Sequence, residues 1–262
     1  MKPRSQVVWF GVSLSLLMLG WEAVCRLFAI PPFILPPPSA VLLSLWELRD
    51  LFFGLHLWAT LREVCIGLSL SVVFGVCLAV AMHGSRKIER LIYPYIVISQ
   101  TIPIIALSPV FILWFGYDLS GKIAVTILFT FFPIVVNTYD GLCSADRDMI
   151  DLLRTMGANR RQIFAKLQLP ASLPAFFSGL KVAATYSVAG ATIGEWLGAS
   201  EGLGYFGRRA SGNFQAPALF ASVLLLSMLG MLLFWLVGVV ERKWAPHARV
   251  AKNKQPSKGV QP

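Results

Sequence analysis

A chain of 262 residues that is 56% hydrophobic and only 14% charged, with a mean hydropathy of +0.68, is too apolar for a soluble domain and reads as an integral membrane protein. Its net charge of +10 does not point to nucleic acid, because Lys and Arg fall in short segments between apolar runs instead of gathering on one soluble face. Cys25, Cys65, Cys77 and Cys143 lie in or beside apolar runs without ligand spacing; they are expected to be buried small residues, and no metal or cofactor is expected.

The N-terminus, MKPRSQ followed by VVWFGVSLSLLMLG, has the charged start of a signal peptide. No small-residue cleavage site follows, and the apolar run continues past Trp21 to Ile30, which predicts a retained first transmembrane helix. A crossing needs roughly 20 apolar residues. On that count six spans are predicted, at 7–29, 57–82, 92–115, 121–142, 174–197 and 217–240. The fold class is therefore an all-α polytopic membrane protein with about six transmembrane helices, one peripheral N-terminal helix plus a five-helix core. The third span carries Pro94, Pro103 and Pro109, so it should be kinked or broken and covered by protein.

With both termini inside, the cytoplasmic segments hold sixteen Lys and Arg and the outer loops four, Arg49, Lys122, Arg208 and Arg209. That bias sets the orientation. The organisation read from these signals is an N-terminal helix (1–30), an outer Pro-rich loop (31–56) that is extended and stiff, a core (57–242) with a cytoplasmic loop at 143–173, and a basic tail (243–262) expected to be disordered and near anionic lipid headgroups.

No phosphate-binding loop, HExxH motif or nucleophilic triad is present. His56, His83 and His247 are scattered near membrane boundaries and read as interfacial polar residues.

The segment 151–174, DLLRTMGANRRQIFAKLQLPASLP, is a polar interruption between two apolar spans. Asp146 and Asp148 suit a helix start. Ile150, Leu153 and Met156 recur at helical spacing, with Leu152 beside them. Gly157 ends the turn in the left-handed conformation. Asn159 caps a second short helix carrying Ile163, Phe164 and Leu167, which Pro170 and Pro174 are expected to stop. The result is a helical elbow with an apolar side and a basic side. An amphipathic segment on the membrane surface is the plainer alternative; the short, defined ends and the glycine joint favour docking into a groove of another protein.

The order of Asp151, Leu152, Leu153, three residues, Gly157, nine residues, Leu167, one residue and Leu169-Pro170 resembles the EAA loop of bacterial ABC importer permeases. The usual Glu-Ala-Ala is Asp-Leu-Leu here; the Gly and the Leu-Pro stand at the family spacing. Over residues 35–242, the segments ILPPPSAV, ATLREVCIGL, IPIIALSPVFILWFGYDLSGK and GEWLGASEGLGY resemble the branch that imports taurine, alkanesulfonates, nitrate and the pyrimidine precursor of thiamine.

That resemblance implies a permease homodimer in the bacterial inner membrane, a cytoplasmic ABC ATPase dimer and an extracytoplasmic substrate-binding protein. It places Asp151, Leu152, Leu153, Met156, Gly157, Ile163, Phe164, Leu167, Leu169 and Pro170 in the ATPase-coupling loop. The chain itself would then be no enzyme. Among substrates, the resemblance leans to the hydroxymethylpyrimidine-like precursor, with taurine, alkanesulfonate or nitrate as rivals. A self-contained ion-coupled transporter is a different class, using Glu195 or Lys181; such proteins commonly carry two related halves, and no repeat is visible.

Candidates for the translocation path are few. Ser99, Gln100 and Thr101 precede the kink at Pro103 and are polar at membrane depth; they line the route or satisfy freed backbone groups. Glu195 and Trp196 end the fifth span before the Gly-rich return ASEGLGYFG. Glu195 is equally a pathway residue or an interfacial carboxylate in water. Lys181, Arg26 and Arg62 lie near span ends and can snorkel, with Glu22 and Glu63 beside the arginines as pairing partners.

Overall fold

The computed structural model describes residues 3–244; His247 and the tail beyond Trp244 lie outside the described residues. No strand occurs among the described residues. The helices in order are α1 (Pro3–Leu27), α2 (Pro38–Glu47), α3 (Arg49–Leu51), α4 (Leu57–Gly84), α5 (Arg86–Ser99), α6 (Ile104–Phe115), α7 (Leu119–Cys143), α8 (Arg147–Thr155), α9 (Arg160–Ile163), α10 (Leu169–Gly198), α11 (Leu203–Gly212) and α12 (Ala216–Trp244). Two π turns, Phe52–His56 and Phe164–Gln168, join α3 to α4 and α9 to α10 without a break.

Arg49–Gly84, α7 and α12 are long and apolar enough to cross a membrane. The third predicted span is broken: α5 and α6 form a pair bent by 106°. Counting that pair as one span gives four such elements among the described residues, against the six expected. The break follows from the chemistry of residues 100–103. Pro103 has no N–H to continue a helix and stands in extended conformation before α6. The Ser99 and Thr101 hydroxyls donate to the carbonyls of Ile96 and Ile98, at 2.7 and 2.8 Å. Pro94 and Pro109, by contrast, are carried inside helices.

Helix extends further at both joints than proline placement predicts. Within 31–56 the chain is helical from Pro38, which occupies the first helical position, where its fixed φ suits the turn. Pro170 and Pro174 do not stop the second arm of the elbow. The π turn sends the Leu169 N–H back five residues, to the Phe164 carbonyl. Pro170 follows inside that continuous helix, where it lacks the N–H that would bond one turn back, and the change of register lies directly before it.

Two compact units divide the described chain, one of 3–62 with Glu195–Met228, the other of Glu63–Gly194 with 229–244. In the first, Phe52 and Phe206 meet edge to face with centroids 4.6 Å apart, inside a core that includes Val41, Leu203, Ala218 and Leu225. The Glu22 carboxylate pairs with Arg26 at 2.7 Å, as adjacency predicted, and accepts from both the amide and the hydroxyl of Ser39. It therefore sits at the positive end of α2. Residues 11–20 of α1 are exposed throughout. Cys25 is buried; Cys65, Cys77 and Cys143 are exposed, a correction to the expectation that all four would be buried.

The second unit is organised around α7. A β-carbon at Gly67 of α4 would lie 2.6 Å from Thr126 Cγ2, and one at Gly190 of α10 would lie 2.9 Å from Thr126 Cα. Only glycine permits helices to approach α7 that closely from both sides.

Candidate functional site

The elbow is built almost wholly from local signals. Asp146 caps α8 by accepting from the Asp148 amide at 2.9 Å. The helix closes with the Gly157 N–H on the Arg154 carbonyl and the Ala158 N–H on the Leu153 carbonyl, both at 2.9 Å. These are the two bonds of a Schellman ending, with Gly157 at φ +86°. Asn159 then caps α9 reciprocally with Gln162, through bonds of 2.9 and 2.8 Å.

This geometry divides the candidate coupling residues into two faces. Leu152 and Met156 are 53% and 75% exposed, and Leu169 and Pro170 are also exposed. Asp151 is exposed and pairs with Arg154 at 3.0 Å. Ile163 is 5% exposed, while Leu153, Phe164 and Leu167 are half-buried. The outward face thus presents two apolar side chains beside an acid and arginines, the pattern of a docking knob with a charged rim. The inward face seats the elbow.

The path candidates fall in separate units. Ser99, Gln100 and Thr101 sit together, exposed, at the α5–α6 break of the second unit. Glu195 belongs to the first unit and is 0% exposed. Its carboxylate accepts from the Thr60 hydroxyl at 2.6 Å, from the Gly204 amide and from the Tyr205 amide at 3.3 Å. Thr60 Oγ1 in turn accepts from the Leu203 amide at 2.8 Å, and His56 Nδ1 accepts from the Gly202 amide at 3.1 Å.

The Glu195 carboxylate meets the free amides that open α11, where an acceptor also faces the positive end of the helix dipole. Glu195, Thr60 and His56 together close the N-terminus of α11 and fix the glycine return. Gly202, at φ +122°, lies where any side chain would overlap the carboxylate. His56 is buried. Trp196 is exposed.

One buried ion pair lies outside the sequence expectations. The sequence expectation puts Lys122 in an outer loop and Glu63 beside Arg62. In the structure Lys122 Nζ pairs with Glu63 Oε1 at 2.8 Å, the two side chains 8% and 1% exposed. Lys122 lies one turn inside α7, not in a loop. The missed signal is a stripe at four-residue spacing, Lys122, Thr126 and Thr130, facing Glu63, Gly67 and Ser71. Ser71 and Thr130 share a hydrogen bond of 2.6 Å, and the threonines donate to carbonyls four residues back. Lys181 also has a protein partner: its ammonium pairs with Glu241 and lies 5.8 Å from the Phe234 ring centroid. Among the described residues no His, Cys, Asp and Glu group is arranged to hold a metal.

Comparison with known proteins gives this geometry a family. The chain is 47% identical to the formylaminopyrimidine transport permease protein ThiX of Halalkalibacterium halodurans, over 94% of this chain and 98% of that one. It is 34% identical to the riboflavin transport system permease protein RibX of Chloroflexus aurantiacus, over 88% and 87%. A solved chain of the MetNI methionine ABC transporter, in its inward-facing conformations, shares the fold with a TM-score of 0.66 at 22% identity, covering 75% of this chain and 97% of that one. The model of the binding-protein-dependent transport system inner membrane component matches residues 71–246, well over half of the chain, and the protein belongs to that family of ABC transporter permeases.

Proposed function

We propose that this permease moves a thiamine pyrimidine precursor, a hydroxymethylpyrimidine- or formylaminopyrimidine-like ring, into the cytoplasm. The observation that carries this reading is the similarity, over nearly the whole of both chains, to a formylaminopyrimidine permease. In this account the chain works as a homodimer in the bacterial inner membrane with both termini cytoplasmic. A cytoplasmic ATPase dimer supplies energy and an extracytoplasmic binding protein supplies the solute. The charge bias and the absence of a phosphate loop in the chain support these assignments. The helices α1 and α10, 25 and 30 residues long, would bring the spans to six, since about 20 residues suffice for a crossing.

The elbow is the proposed ATPase contact. Asp151, Leu152, Met156 and Gly157 form its outward face, with Leu169 and Pro170 at its far end. Ile163, Phe164 and Leu167, with Leu153, seat it from behind. Ser99, Gln100, Thr101 and Trp196 are the proposed solute-facing positions, exposed where the helices break or end. Glu195 acts by holding the α11 start in place, because its carboxylate is already fully engaged by protein donors.

Reconstitution with ATPase and binding protein in proteoliposomes tests the whole reading. ATP-dependent accumulation of labelled hydroxymethylpyrimidine or formylaminopyrimidine is the expected result. Accumulation of taurine or alkanesulfonate alone would transfer the chain to the sulfonate importers. Uptake driven by an ion gradient with no ATPase present would overturn the importer assignment.

A further inference from the structure

The hydrogen-bonding side chains of the elbow satisfy one another. Asp146, Asp151, Arg154, Asn159 and Gln162 bond within the segment, and Ser144 and Ser172 bond carbonyls three residues back. Among the described residues, one side-chain hydrogen bond of 144–173 reaches another helix: Gln168 Oε1, in the π turn, lies 3.0 Å from Nε2 of His83. The other ring nitrogen, Nδ1, is 3.7 Å from the Cys143 thiol at the end of α7. The tautomer that satisfies both contacts carries its proton on Nε2 and accepts from the thiol at Nδ1.

His83 stands one residue before Gly84, where α4 ends, and α5 begins two residues later at Arg86. Its ring also lies 6.2 Å from that of Phe164 on the elbow. Cys143 and Tyr139 stand four residues apart on α7, and the Tyr139 ring meets that of Tyr93 on α5 at 5.8 Å. Beneath this strip Met82, Ile96 and Val135 pack α4, α5 and α7 together. The segment α5 is the first half of the broken span.

We infer that His83 is a positioning residue for transport coupling, linking the π turn of the elbow, through Cys143 and Tyr139, to α5 and so to the α5–α6 break. This inference rests on the reading of the elbow as the ATPase contact, but the physical link it names exists in the permease alone. An elbow displaced by a partner would carry Gln168 with it. Among the described residues this is the elbow's one hydrogen-bonded side-chain tie to the α4–α5 corner, so that corner receives part of the displacement, beside what the continuous helix carries into α10.

The test has two arms, each on full-length protein. In purified permease, hydrogen exchange at the amides of residues 86–99 is followed for Gln168→Ala, Tyr139→Phe and both, in wild-type and His83→Ala backgrounds. Gln168→Ala should raise exchange in α5 about threefold to tenfold in the wild-type background and have no further effect once His83 is Ala. Additive or absent effects on α5 overturn the inference, whatever the elbow binds.

In proteoliposomes with ATPase and binding protein, His83→Ala should leave ATPase capture and basal hydrolysis unchanged while lowering uptake per ATP about tenfold. His83→Gln, which keeps a donor and an acceptor, should restore most of it. Proportional loss of uptake and hydrolysis, or no rescue, also overturns the role. Failure of wild-type permease to capture an ATPase at all would sink the docking reading, and the exchange cycle would still decide the link.

Discussion

The elbow and the polar stripe of α7 both put charged residues beside apolar ones, yet they are built by opposite physics. In the elbow, Asp151 and Arg154 pair in water, 67% and 65% exposed, where such a pair contributes little to stability. In the stripe, Lys122 and Glu63 pair with almost no exposure, where neither charge is tolerable alone. The first region is stable because its caps are local; the second because helices distant in sequence complete one another. The elbow should therefore tolerate substitution structurally and fail functionally, and the stripe should do the reverse.

The sharpest way to break this contrast is Lys122→Met. Leaving Glu63 without its cation should destabilise the permease by about 3–5 kcal/mol, while Lys122→Met with Glu63→Leu should recover most of the loss. Thermal unfolding in detergent reads both. A single variant as stable as the double one would show that the pair is not what the buried charge depends on.

Next in size are the close approaches. Gly67→Ala sets a methyl against Thr126 and should cost about 1–3 kcal/mol by the same measurement. Glu195→Ala, which strips the acceptor from the Thr60 hydroxyl and the Gly204 and Tyr205 amides, should cost about 1–3 kcal/mol. Faster amide exchange across residues 202–206 would locate that effect.

Elbow variants come last on stability and first on coupling. Gly157→Ala meets no neighbour within 4 Å, so its cost is backbone strain alone, about 1–2 kcal/mol. Gly157→Val adds the β-branched penalty and should uncouple hydrolysis from uptake; normal coupled uptake in that variant would count against the joint. Asp151→Ala should shift stability by less than about 0.5 kcal/mol while weakening ATPase capture. Unchanged copurification would remove Asp151 from the contact.

The legibility of each region follows the same division. The caps at Asp146 and Asn159, the left-handed Gly157 and the fracture of the third span were all readable, because capping, positive φ and a missing N–H act within a few residues. Lys122 was misread as a loop residue because a cation near a span end ordinarily snorkels, and only the facing helix shows that it does not. Glu195 left two open readings for a like reason. Its donors, Thr60 and the amides of 204 and 205, lie 135 residues before it in one case and across a glycine turn in the other.

Pro170 and Pro174 predicted a helix end that a π turn averts, an adjustment of register by one bond that composition does not reveal. What the sequence determined by itself is the class of molecule: an apolar, basic, all-helical membrane chain whose polar elbow carries the family spacing, since hydropathy, charge bias and capping are properties of short windows. The tertiary structure alone decided which charges are partners and which side of the elbow is free. A buried polar group is defined by what lies across from it, and here that is Glu63 for Lys122 and Thr60 for Glu195.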